Sequence, residues 1–94
     1  MKRTFRFNKV GINKLPEHKP VTYEIKTSGS KTNYVGVAKR NRVQERVQEH
    51  LPGGKDHVPG SRITIQQHTN IDAAKNAEAR KIAEKQPPYN KQGK

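Results

Sequence analysis

Two short runs, "VTYEIK" at residues 21–26 and "YVGVA" at residues 34–38, constrain the fold of this chain more than any other feature. In the first, Val21, Tyr23 and Ile25 alternate with Thr22, Glu24 and Lys26, the two-residue period of a half-buried strand. The second run is also β-prone. Between them "TSGSKTN" is polar and carries Gly29, so residues 21–38 read as an antiparallel hairpin with a loop of about six or seven residues. A hairpin of that size makes Tyr23 and Tyr34 near cross-strand neighbours, a placement that ordinary aromatic pairing in sheets also produces.

From about Asn41 the period changes. Val43, Val47 and Leu51 fall at i, i+4 and i+8, a narrow helical stripe that Pro52-Gly53-Gly54 ends. "PGGKDHVPG" is a long turn-rich loop, flexible by composition, and "SRITIQQH" alternates again through Ile63 and Ile65 as a third strand. Asn70 or Asp72 can cap a second helix with an Ala-rich pattern through Ala74, Ala77 and Ile82, which Pro87-Pro88 stops. The expected unit is α/β (α+β), a small three-stranded, mainly antiparallel sheet flanked by helices in the order β-β-α-β-α. It spans residues 20–90. Residues 1–19 form a basic N-terminal section in which Phe5 and Phe7 alternate with polar neighbours, either an added edge strand or a loose arm, closed by Pro16 and Pro20. Residues 91–94 are a short tail.

Composition limits how large the core can be. Leu, Ile, Val and Phe make up under a fifth of the 94 residues and the formal net charge is +12, values shared with many disordered chains. Twenty Lys and Arg against eight Asp and Glu call for a polyanionic partner. Nucleic acid is the usual one, because each neutralised phosphate releases counterions. No segment joins a basic face to a broad Leu/Phe/Trp face, and no apolar run approaches the ~20 residues that span a bilayer. The N-terminus is basic without an apolar h-region, so it does not read as a secretory signal. The absence of cysteine excludes disulfides and thiolate zinc sites and fits a cytoplasmic protein.

Within this frame a few residues carry chemistry. Arg46 and His50 are four apart and share a face of the first helix. On the second helix Ile71, Ala74, Glu78 and Ile82 form one stripe, so a carboxylate sits among apolar residues. Burying it costs several kcal/mol unless an Arg or Lys partner or a divalent cation receives it. Lys39, Arg40 and Arg42 lie between strand and helix, where they grip a phosphate backbone or serve solubility alone. His18, His57 and His68 have no partner pattern.

Taken together these residues resemble the GIY-YIG nuclease family. The first signature is "VTY" at 21–23 and the second "YVG" at 34–36, with ten residues between the tyrosines; Arg46, His50 and Glu78 follow in order, and "PPYN" at 87–90 places Asn90 twelve residues after Glu78. The resemblance covers about residues 20–90. Val21 and Thr22 stand where the family prefers Gly and Ile, and the stretch from Tyr34 to Arg46 is about two residues longer than in many members, through "KRNR".

The resemblance implies hydrolysis of DNA phosphodiester bonds (RNA is not excluded) with one Mg²⁺ or Mn²⁺ ion. Glu78 would hold the metal, a hard oxygen ligand suited to Mg²⁺. Tyr23 would activate or orient the attacking water and Tyr34 would share that task, which requires the metal and a basic neighbour to lower the pKa of a tyrosine from about 10. Arg46 would clamp the scissile phosphate. His50 would assist proton transfer or bind phosphate, and Asn90 would position neighbouring groups. So small a unit has little room for sequence readout. Specificity would then come from the basic arm, a dimer or a fused or separate targeting module, and the biological role would be repair, phage-type cleavage or a bacterial toxin with an immunity protein. The rival expectation is a basic nucleic-acid-binding protein without catalytic activity.

Overall fold

A computed structural model describes residues 2–90. The hairpin forms from strand β2 (Val21–Lys26) and strand β3 (Thr32–Ala38), antiparallel, with Val21 opposite Ala38, Tyr23 opposite Gly36 and Ile25 opposite Tyr34. The second strand begins two residues earlier than "YVGVA" suggests, and the register shifts between Ile25 and Lys26. Strand β4 (Arg62–Gln67) pairs along the other side of β2. A further strand, β1 (Lys2–Arg6), pairs with β4, with Arg3 opposite Ile65 and Phe5 opposite Ile63.

Among the described residues the sheet therefore has four strands in the order β1-β4-β2-β3, all antiparallel, not three. The additional strand comes from the basic N-terminal section. Its two phenylalanines find an apolar surface only once β4 is in place, a pairing between residues ~60 apart that local alternation does not reveal.

Three helices among the described residues cover the sheet. The first, α1 (Lys9–Ile12), is one turn capped by the Asn8 side chain on the Gly11 amide at 2.8 Å; it carries the exposed Val10 out of the strand pattern and puts Ile12 into the core. The second, α2 (Val43–Gln48), buries Val43 and Val47. On this face Ile12, Leu15, Val43, Val47 and Val58 pack against Val21, Tyr23, Ile25, Ala38, Ile63 and Ile65, with Phe7 at the margin. Residues 7–15 thus share one core with the rest of the chain.

The third helix, α3 (Ile71–Lys85), lies on the opposite face, where the Thr22 hydroxyl donates to the Ala74 carbonyl at 2.9 Å. Asn70 is its N-cap, accepting from the Ala73 amide at 2.8 Å, and Gln86 ends it in the left-handed conformation just before Pro87. Because helices cover both faces of the central strand, every residue from Val21 to Ile25 is buried, including Glu24 on the face that alternation marks as polar. Among the described residues no helix is long and apolar enough to cross a membrane. The tail at 91–94 lies outside the described residues.

Candidate active site

Tyr23 and Tyr34 sit on the same face of the hairpin, diagonal neighbours two residues out of direct register, with ring centroids 6.1 Å apart. The residue opposite Tyr23 is Gly36, and a side chain there would meet the Tyr23 ring and hydroxyl at 2.5 to 2.9 Å. The glycine of "YVG" therefore makes room for the tyrosine of "VTY", which gives the two signatures a joint physical reason.

His50 does not continue the helix. α2 stops at Gln48, and the amides of His50 and Leu51 bond back three residues to Val47 and Gln48 at 3.0 and 3.1 Å. This tighter turn swings His50 inward, where its residue is 3% exposed, while Arg46 stays half-exposed beside Glu49 at 3.9 Å. The shared helical face expected from i, i+4 spacing is replaced by a division of labour between core and surface.

The loop after α2 folds back onto this turn. The Asp56 and Val58 amides donate to the Glu49 and His50 carbonyls at 2.8 and 2.9 Å, and Val58 enters the core. The Asp56 carbonyl lies 2.8 Å from His50 Nδ1. A carbonyl only accepts, so Nδ1 carries the proton and Nε2 of the neutral ring accepts from the Tyr23 hydroxyl at 2.8 Å. Burial lowers the His50 pKa, against the pull of the Asp56 carbonyl and charge, and favours this neutral form. The His50 ring bridges the two tyrosines, with its centroid 5.7 Å from Tyr23 and 4.5 Å from Tyr34.

Tyr23 is fully buried, and burial followed by the neighbouring Tyr34 raises its pKa well above 10. Tyr34 is only partly buried; burial and then the Asp56 and Glu78 charges raise its pKa too. Among the described residues the Arg46 charge acts to lower both tyrosine pKa values, but burial outweighs it, so these residues alone do not supply the lowered pKa that the expected water-activating role requires. Tyr34 is the tyrosine that faces the solvent-filled side.

That side is an open groove of roughly 510 Å³ at the β3 edge. Tyr34 and Val37 of β3, Arg46 of α2, and Ile71, Lys75 and Glu78 of α3 line it, and Lys39 and Arg42 from the intervening turn complete it. The "KRNR" turn is tight: Asn41 adopts a left-handed conformation that asparagine tolerates, with its amide on the Glu17 carbonyl at 2.7 Å and the Arg42 amide on the Lys39 carbonyl at 3.0 Å. Arg40 does not line the groove.

Glu78 is, among the described residues, the one carboxylate in that lining. Among the described residues it has neither a hydrogen bond nor an ion pair, although it is half-buried. Burial raises its pKa, and the charges of Arg46 and Lys75 only partly offset this.

No protein-family model matches the sequence, and no curated protein matches it.

Two further features escape sequence reasoning. Glu24, 2% exposed, is held by Lys85 at 2.7 Å, Lys81 at 3.0 Å and the Thr32 hydroxyl at 3.2 Å, with Lys26 at 3.8 Å. Burial pushes its carboxyl up, but the bonds from Lys85 and Lys81 outweigh that and bring the pKa down to about 2. Glu78 is thus not the only acid whose placement needs explaining. The available signal was the pair Lys81 and Lys85, four apart on α3. Asn90 also lies away from the groove: its side chain accepts from the Val35 amide at 2.7 Å and donates to the Val35 carbonyl at 2.8 Å. It pairs with the outer edge of β3 as one residue of a strand would, beside Tyr34. His68 bonds the Thr22 hydroxyl at 2.9 Å, and His57 stays exposed.

Proposed function

We propose that this chain is a metal-dependent endonuclease that hydrolyses phosphodiester bonds of DNA with a GIY-YIG-type site, one that a divergent member of that family would have. The observation that carries the reading is Glu78: a half-buried carboxylate in a cation-lined groove, with no protein partner among the described residues and a raised pKa. A single carboxylate in an open groove suits Mg²⁺ or Mn²⁺, because Mg²⁺ keeps several waters and takes its remaining oxygens from phosphate.

A divalent ion at Glu78 would polarise a phosphate oxygen and acidify a bound water. Arg46, on the opposite wall, would contact the scissile phosphate and stabilise the charge that develops on it. Tyr34, one of the groove's lining residues, would orient the attacking water. Neutral His50 would accept the Tyr23 hydrogen bond behind it and hold the aromatic group in place. Asn90 would fix the β3 edge from which Tyr34 projects. Lys39 and Arg42 would grip the backbone, leaving Arg40 outside the contact.

The experiment is plasmid nicking with Mg²⁺ or Mn²⁺, with and without chelator. Wild type should nick only with metal, and Glu78→Ala should abolish cleavage while binding persists. One observation favours the rival reading of binding without cutting: Tyr23 is sealed in the core with its hydroxyl committed to His50. Wild-type protein that binds DNA but never nicks it with either metal decides for that rival.

A further inference from the structure

Among the described residues four cations line the groove, and in the proposed function only Arg46 is given to the scissile phosphate. We propose that Lys39 and Lys75 form a second phosphate subsite that seats the backbone phosphate next to the scissile one, so that the ligand is a continuous nucleic-acid strand and not a mononucleotide or an isolated phosphodiester. The inference rests on the nuclease reading for the identity of the first subsite.

Three observations converge on it. Lys39 follows β3, whereas Lys75 stands on α3 three residues before Glu78, so the two reach one groove from different elements. Among the described residues neither has an acidic partner, whereas Arg42 pairs with Glu45 at 3.0 Å and Arg46 with Glu49 at 3.9 Å. Like charges gathered around one carboxylate repel one another, and a bound polyanion relieves that repulsion. Val37 and Ile71, both half-buried, give the same groove an apolar floor suited to the face of a sugar between two phosphates. Arg40, from the same basic turn as Lys39, contributes nothing to the lining, so the subsite is set by geometry and not by the run of basic residues.

The test uses Lys39→Gln, Lys75→Gln and the double variant, with Arg40→Gln as the charge-matched control. All three positions are exposed, two just after β3 and one on the α3 surface, and circular dichroism should be unchanged. Binding of a fluorescent single-stranded oligonucleotide is measured by anisotropy across a salt series, with Ca²⁺ in place of Mg²⁺. Each lysine variant should reduce the slope of log K against log salt by about 0.7, the share of one phosphate contact on a single strand, and Arg40→Gln should reduce it less. A dinucleotide with an added terminal phosphate should bind wild type about tenfold more tightly than one with only its internal phosphodiester, and the double variant should lose that preference. An unchanged slope in the double variant, or an Arg40→Gln effect equal to that of Lys75→Gln, overturns the subsite. Absence of cleavage with this binding pattern intact overturns the nuclease reading and leaves the subsite standing.

Discussion

Two acids lie at the interface between α3 and the sheet, and they are treated in opposite ways. Glu24, beneath the C-terminal half of the helix, has two close lysines, a hydroxyl and a third lysine around it, and its pKa falls to about 2. Glu78, at the groove, has no such partner among the described residues, and burial raises its pKa. The same helix supplies Lys81 and Lys85 to Glu24 and carries Glu78 itself, so lysines were within reach of the fold's construction for either acid. A carboxylate compensated on all sides holds a structure together. One left uncompensated beside an arginine is available to a ligand.

The largest difference should appear when the two acids are neutralised in turn, with the loss falling on Glu24 and not on Glu78. Glu24→Gln removes the buried charge that Lys81 and Lys85 bind from the margin of the site and should lower stability by about 2 kcal/mol in urea unfolding. Glu78→Gln should change it by no more than about 0.5 kcal/mol. Equal losses would remove the distinction between the two sites. The acid limb of stability sharpens it. With its folded pKa depressed, Glu24 contributes stability that is present above pH 4.5 and lost as pH falls toward about 2. Glu78, with its folded pKa raised, acts with the opposite sign: its contribution is full below pH 4.5 and is lost as pH rises through the folded value. Acid denaturation of wild type should therefore be steeper than that of Glu24→Gln and no steeper than that of Glu78→Gln.

A comparable loss is expected on the aromatic face. Gly36→Ala drives a methyl group into the Tyr23 ring and should cost about 2 kcal/mol, with the Tyr23–His50 bond displaced and the Glu24 cluster untouched. Retention of the low Glu24 pKa in that variant, read by NMR, would show that the two regions are independent. Its loss would show that they are one.

What the sequence discloses about this molecule follows from how local each signal is. Alternation in "VTYEIK", the proline stop at Pro87 and an asparagine cap at Asn70 depend on neighbours a few residues away, and the hairpin and α3 follow from them. β1 depends on β4, which is distant in the chain, and so does the burial of Glu24, because only a central strand has helices on both faces. The i, i+4 spacing of Arg46 and His50 holds for a helix that continues. The turn after Gln48 breaks it and puts His50 where no periodicity would place it. Lys75 carries no motif, and it becomes visible only as part of the groove wall.

The most direct measurement is a carbon-13 NMR titration of the glutamate side-chain carboxyls, with and without Mg²⁺. Without metal, Glu78 should titrate above 4.5 and Glu24 at about 2; Mg²⁺ should lower the apparent pKa of Glu78 and leave Glu24 unmoved. A Glu78 carboxyl that titrates at or below 4.5, or that ignores Mg²⁺, would contradict its assignment as the carboxylate kept for a cation.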